Sequence, residues 1–255
     1  MELRIVGCHG GETPKHRTSA FVLDGKLAID AGALTRGLEL EAQLRLEACL
    51  VSHAHLDHMR DLATIADNRF QADCDPLVVA ATRGTIAALK KHFFNNVIWP
   101  DFSELPNTTR PAIRFVELEF EKRIELVGYG VRAVEVAHTI ETSGFIIETP
   151  SAALGYSGDT GPTDRLWELL DATPNLKALL VETSFPNAEQ GLATVSGHHT
   201  PQSLAADLAK LGKAADIAAL LYHIKPVFQR EVEQECARLR GFNVSIPKLD
   251  EQFVF

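Results

Sequence analysis

Residues 52–62 read SHAHLDHMRDL, and positions 53–58 hold three imidazoles and one carboxylate. The stretch follows the apolar run ACLVS (48–52) and leads into MRDLATIADNRF, which reads as a helix start. Taken singly, each of these residues is an ordinary surface or core polar group. Together they supply the nitrogen and oxygen donors that zinc, iron and manganese accept. His53 and His55 are two apart, so in an extended segment they share a face. Asp57 and His58 are adjacent and diverge, so they can serve a second ion as the chain turns. The cluster is expected on a strand-to-helix loop, where rigid elements hold functional groups.

Two ions need more donors, and three other residues share this setting. His138 ends VRAVEVAH, Asp159 ends AALGYSGD and His223 ends IAALLYH. Each follows an apolar run, as His53 does. Seven ligand-type residues are thereby expected at one edge of the strands.

The rest of the chain reads as one α/β domain over 1–255. Strand-like runs recur at 2–8, 19–30, 48–52, 76–81, 112–118, 123–137, 144–149, 152–157, 177–183 and 216–222. The Asp24-Gly25 pair marks a hairpin turn. Helical patterns cover 35–47, 163–172, 200–212 and 229–241, and Thr200-Pro201 is a helix start signal. An internal echo links TSAFVLDGKLAIDAG, from Thr18, to TSGFIIETPSAALGYSGD, from Thr142. Two such halves facing one another would form a sandwich of two sheets with helices outside.

Composition narrows the partners. The formal net charge is −9, and no basic run is evident for following a polynucleotide, so a nucleic-acid partner is not expected. No apolar run approaches the ~20 residues that span a bilayer. The opening MELRIVGCHGGETP has no signal-like core, so a cytoplasmic protein with no membrane partner is expected. The four cysteines form no CxxC pair and read as free thiols.

HAHLDH resembles the HxHxDH motif of the metallo-β-lactamase superfamily, and His138, Asp159 and His223 follow in the order that family uses. The resemblance covers essentially the whole chain. It implies a four-layer αββα sandwich and two divalent metal ions, with zinc first and iron or manganese as alternatives. His53, His55 and His138 would hold one ion. Asp57, His58 and His223 would hold the other, and Asp159 would bridge them. Four stretches are similar to class II cyclic nucleotide phosphodiesterases: FFNNVIWPDFSELP (93–106), SGDTGPTDRLW (157–167), LLVETSFPNAEQGLATVSGHHTPQSL (179–204) and YHIKP (222–226). That family usually reads GHLTP where this chain reads GHHTP, so the role of a histidine there falls to His198 or His199. The same segment is similar to tRNase Z.

Two ions ~3.5–4 Å apart can bind a bridging hydroxide and the nonbridging oxygens of a phosphodiester. The expected activity is hydrolysis of 3′,5′-cyclic nucleotides, cyclic AMP or cyclic GMP, as small-molecule substrates. Expulsion of the ribose 3′ oxygen needs a proton. His198 is the candidate acid, and Glu182 would orient its ring and favour the protonated form. Asp57 is grouped with them as catalytic. A homodimer is left open. The segment 92–102 could form a cleft lip on which a purine stacks. The alternatives are a tRNA 3′-processing endonuclease, a thioester or lactone hydrolase, and a non-hydrolytic di-iron redox or sensor protein on the same fold.

Overall fold

A computed structural model describes residues 1–255. Fourteen strands are β1 (Glu2–Gly7), β2 (Ala20–Leu23), β3 (Leu27–Ile29), β4 (Ala48–Leu50), β5 (Leu77–Ala81), β6 (Ile113–Glu117), β7 (Arg123–Leu126), β8 (Tyr129–Glu135), β9 (Ser143–Glu148), β10 (Ala153–Tyr156), β11 (Leu176–Glu182), β12 (Ala218–Tyr222), β13 (Asn243–Ser245) and β14 (Gln252–Val254). The α-helices are α1 (Leu34–Gly37), α2 (Leu40–Leu44), α3 (Leu56–Met59), α4 (Leu62–Gln71), α5 (Arg83–His92), α6 (Arg165–Asp171), α7 (Gln190–Ser196), α8 (Pro201–Leu208) and α9 (Gln229–Cys236). One sheet has the order β14-β1-β2-β3-β4-β5-β6 and the other β13-β12-β11-β10-β9-β8-β7.

The two sheets face one another, and helices cover both outer surfaces. Strand alternation builds all three apolar layers. In β4, Ala48 and Leu50 point between the sheets, while Cys49 turns outward to α4 and α5. In β11, Ala178 and Leu180 point inward, while Leu179 and Val181 meet α6 and α8. Strands buried on both faces read as unbroken apolar runs, which is why they were legible. This is the αββα sandwich expected from the sequence. No helix is long and apolar enough to cross a membrane.

The internal echo has a structural counterpart. β2 and β3 form an antiparallel hairpin, as do β9 and β10, and a parallel strand follows each. The first turn has positive φ at Asp24 and Gly25, as the Asp-Gly pair requires. The parallel strands β3, β4, β10, β11 and β12, and β8 two strands from β10 in the same sense, all send their carboxyl ends to one edge. In open α/β sheets that edge is where ligands bind.

Several elements differ from expectation. The run 123–137 is two strands, because Val127 and Gly128 take positive φ and reverse the chain. The helix expected over 35–47 breaks into α1 and α2, since Leu38 is extended between them. Helix α5 carried no clear apolar stripe and was missed, although Thr82 caps it through Thr85. β13 and β14 are three-residue edge strands that exist by pairing with β12 and β1. The segment 92–102 is not a cleft lip. The carbonyls of Phe102 and Leu105 bond the amides of Ile113 and Ala112, at the end of β5 and β6 remote from the histidines. Phe93, Phe94 and Phe102 are buried core.

Candidate metal centre

The ligand-type residues converge as their strand ends foretold. β4 delivers Ser52 and His53 to the site edge. His55 is the extended residue before α3, and Asp57 and His58 lie on that helix. The sequence placed them on a loop. The helix begins one turn earlier because the amide of His58 already bonds the carbonyl of His55. The amide of Ala31 in turn bonds the carbonyl of His58, which ties α3 to the end of β3.

Donor atoms meet at short range. His55 Nδ1 lies 3.0 Å from His53 Nε2 and 3.2 Å from His138 Nε2. His223 Nε2 lies 3.3 Å from His58 Nε2 and 3.3 Å from Asp57 Oδ2. Asp159 Oδ2 lies 3.2 Å from both His58 Nε2 and His223 Nε2, and 3.8 Å from His53 Nε2. Within each of three sets, His53/His55/His138, His53/His58/Asp159 and Asp57/His58/His223, the donors fall within 4.8 Å of one another. His53, His58, Asp159 and His223 are buried, while His55, Asp57 and His138 face a solvent-open side.

This donor set fits divalent cations. Asp159 Oδ1 is buried with no hydrogen-bond partner, a costly arrangement for a carboxylate unless a cation satisfies it. Burial opposes ionisation of Asp159, yet the charges of His223 and His58 outweigh it and hold the carboxyl well below its usual range. Burial likewise opposes a charged His58, but Asp159 and Asp30 raise it well above the ordinary imidazole value. Ring nitrogens crowded nose to nose need a positive centre, and a metal supplies one.

Residues behind the donors orient them. Asp30 Oδ2 takes His58 Nδ1 at 2.7 Å and Ser52 Oγ at 2.8 Å, and it also accepts from the Tyr156 hydroxyl. His138 Nδ1 donates to the Gly197 carbonyl at 2.9 Å. A bond at Nδ1 leaves Nε2 free for a metal. Asp30 was missed as a functional residue, although the echo sets the end of its hairpin against that of Asp159.

His198 and His199 point to different places. His198 Nδ1 lies 2.8 Å from Glu182 Oε1, and its ring is 5.0 Å from that of His138. His199 turns into the body of α8, with Nδ1 3.0 Å from Ser203 Oγ and Nε2 3.5 Å from Asp207 Oδ2. The Thr200 capping box directs this split. Burial pulls His198 down to about 4 and pushes Glu182 up. The contact sets a carboxyl and an imidazole at hydrogen-bond distance, and burial disfavours the charged form of each. His9, His16 and His92 stay outside the cluster; His16 binds Gln229.

Two glycines let backbones approach the ligands. A Cβ on Gly10 would lie 2.2 Å from the His223 carbonyl oxygen, and one on Gly32 would lie 2.0 Å from that of Asp57. His223 itself has a positive φ of 67°, a conformation its surroundings must impose. Gly10→Ala is expected to shift His223 and weaken one bound ion by roughly 10-fold or more, a cost typical of disturbed ligand support. Gly191→Ala, in open space on α7, is the control. Metal titration of both variants checks this, and equal affinities would refute it.

Residues 28–224 match the model of the beta-lactamase superfamily domain. A probable 3′,5′-cyclic-nucleotide phosphodiesterase of Yersinia pestis is 26% identical over 209 residues, covering 72% of this chain and 59% of that protein. A zinc phosphodiesterase ELAC protein 2 homolog of Caenorhabditis elegans is 25% identical over 208 residues, covering 68% of this chain and 23% of that protein. The chain thus spans less than two thirds of the length of either. Among solved structures, unliganded yeast PDE1 superposes with a TM-score of 0.84 at 18% identity, covering 98% of each chain. That likeness establishes a shared fold.

Proposed function

The chain belongs to the beta-lactamase superfamily, and from that premise we propose that it is a metal-dependent phosphodiesterase acting on 3′,5′-cyclic nucleotides, cyclic AMP most simply. The observation that carries this reading is the buried Glu182–His198 pair, hydrogen-bonded at 2.8 Å, beside the histidine cluster. A general acid next to a cation site suits an ester with a poor alkoxide leaving group.

His53, His55 and His138 would hold one ion, and Asp57, His58 and His223 the other. Asp159 would serve both. Zinc is the first candidate, with iron or manganese as alternatives. When bound, the ions would neutralise phosphoryl charge and make water a better nucleophile near neutral pH. The protein's own part is positioning and proton supply. Asp30, Ser52 and the Gly197 carbonyl fix imidazole orientation. Glu182 holds His198 Nδ1, so its Nε2 side is left for the leaving 3′ oxygen, to which the pair delivers its proton. The solvent-open side at His55, Asp57 and His138 admits the substrate.

The test is a hydrolysis screen of metal-defined protein against cyclic AMP, cyclic GMP, bis(p-nitrophenyl) phosphate, a pre-tRNA and a thioester. Cyclic nucleotide turnover with weak salt dependence is expected, since one phosphate charge is met locally. A polynucleotide releases many counterions, and its affinity falls steeply with salt. Specific pre-tRNA cleavage with a steep slope, and no cyclic nucleotide turnover, would replace this reading with a tRNA 3′-processing endonuclease. Iron that cycles in redox state without any hydrolysis would replace it with a di-iron redox or sensor protein.

A further inference from the structure

Two cluster histidines turn Nδ1 toward a serine hydroxyl. His53 Nδ1 lies 2.9 Å from Ser52 Oγ, which donates to Asp30 Oδ2 at 2.8 Å. His223 Nδ1 lies 2.9 Å from Ser184 Oγ, which donates to Glu182 Oε2 at 3.0 Å. Each carboxylate also takes a second histidine directly. Asp30 takes His58 at 2.7 Å, and Glu182 takes His198 at 2.8 Å. The same four-residue arrangement thus stands on both sheets, after β4 on one and after β11 on the other.

The two arrangements differ in what they join. Both histidines on Asp30 belong to the donor cluster. Glu182 instead joins a cluster histidine, His223, to His198, the proposed proton donor. Ser184 makes that link. Its hydroxyl is buried and stands 3.2 Å from His198 Nδ1 as well. Glu182 Oε1 accepts from His198 and from the amides of Thr160 and His199. Oε2 has Ser184 as its hydrogen-bond donor. A hydroxyl carries one proton and two lone pairs, so Ser184 can accept from His223 Nδ1–H while donating to Glu182.

We propose that Ser184 is a positioning residue that couples the metal centre to the proton donor. It holds His223 in the tautomer that presents Nε2 to a metal, and it fixes the free oxygen of Glu182 so that His198 is aimed at the same centre. The second half rests on the function proposed above; the first rests on the donor cluster alone. Loss of the hydroxyl would leave both the Nδ1–H and Glu182 Oε2 buried without a partner.

Zinc-loaded Ser184→Ala, Ser184→Cys and Ser52→Ala test this. Imidazole N–H signals are read by NMR, metal affinities by titration, and rates on a cyclic nucleotide and a p-nitrophenyl phosphodiester. Wild type is expected to show a slowly exchanging His223 Nδ1–H. Ser184→Ala should lose it and weaken one of two ions by about 10–100-fold. It should also lower kcat more on the cyclic nucleotide than on the p-nitrophenyl ester. Ser184→Cys, with similar volume and a weak donor, should restore part of each effect, and it stands in if the alanine variant does not fold. Ser52→Ala should move the His53 signal and the other ion, with no leaving-group dependence. An unchanged His223 signal with unchanged affinities, or an equal rate loss on both esters, overturns the proposal. A chain that takes up two ions and cleaves no phosphodiester would end the proposed function, and the NMR and titration results would still decide whether Ser184 holds His223.

Discussion

Asp159→Ala is expected to lose bound metal and activity together. The carboxylate sits between His53, His58 and His223, which belong to both proposed ligand sets. Its removal also takes away the carboxylate that faces the Nε2 atoms of His58 and His223 at 3.2 Å. His138→Ala and His223→Ala should each weaken one ion more than the other, because the two rings stand at opposite ends of the cluster. Thermal unfolding gives an independent reading. At free metal of about 100 times Kd, two ions would together add ~5 kcal/mol, which is ~10–20 °C in Tm. Wild type should show that metal-dependent rise and Asp159→Ala should not. A variant that keeps two ions per chain and full turnover would show that Asp159 is not a shared ligand.

His198→Ala should instead keep both metals and lose rate. Its ring contacts Glu182, and it is not one of the residues proposed to hold an ion. A positioned general acid contributes ~10²–10⁴-fold, so turnover of a cyclic nucleotide should fall by that order. The fall on bis(p-nitrophenyl) phosphate should be smaller, since p-nitrophenoxide leaves without a proton. Glu182→Gln should act in the same direction, because Glu182 holds the His198 ring through Nδ1. His199→Ala should affect stability more than rate, since that ring packs against Ser203 and Asp207 on α8. Equal losses on both esters would remove His198 from the proton-donor role, and a rate loss confined to His199→Ala would transfer it one residue along.

Most of the sandwich and the identity of the clustered donors were legible in the sequence, for one physical reason. Strands buried on both faces are continuous apolar runs, and a polar residue placed at the end of such a run lies at a strand's carboxyl end. His53, His138, Asp159 and His223 carry that signature, and HAHLDH adds three more donors in the following turn. The echo between the segments from Thr18 and Thr142 also signalled two similar halves, a relation that needs only local patterns of strand and turn.

What depended on distant parts of the chain was not legible. Strands β13 and β14 have too few residues to show a period, and they exist because β12 and β1 offer open edges. The split of β7 from β8 turned on positive φ at Val127 and Gly128, inside a run whose composition says only strand. The choice between His198 and His199 is one residue in sequence, but the Thr200 cap sends the first ring to Glu182 and the second into α8. Asp30, Ser52 and Ser184 are ordinary polar residues in their own segments. Their place behind the donors arises where two sheets, more than a hundred residues apart in the chain, bring their ends to one edge. Sequence by itself determined which residues could bind metal, because donor chemistry and strand-end position are local. Tertiary structure alone decided which groups orient them and which histidine meets Glu182, because hydrogen-bond partners are set by distance in space.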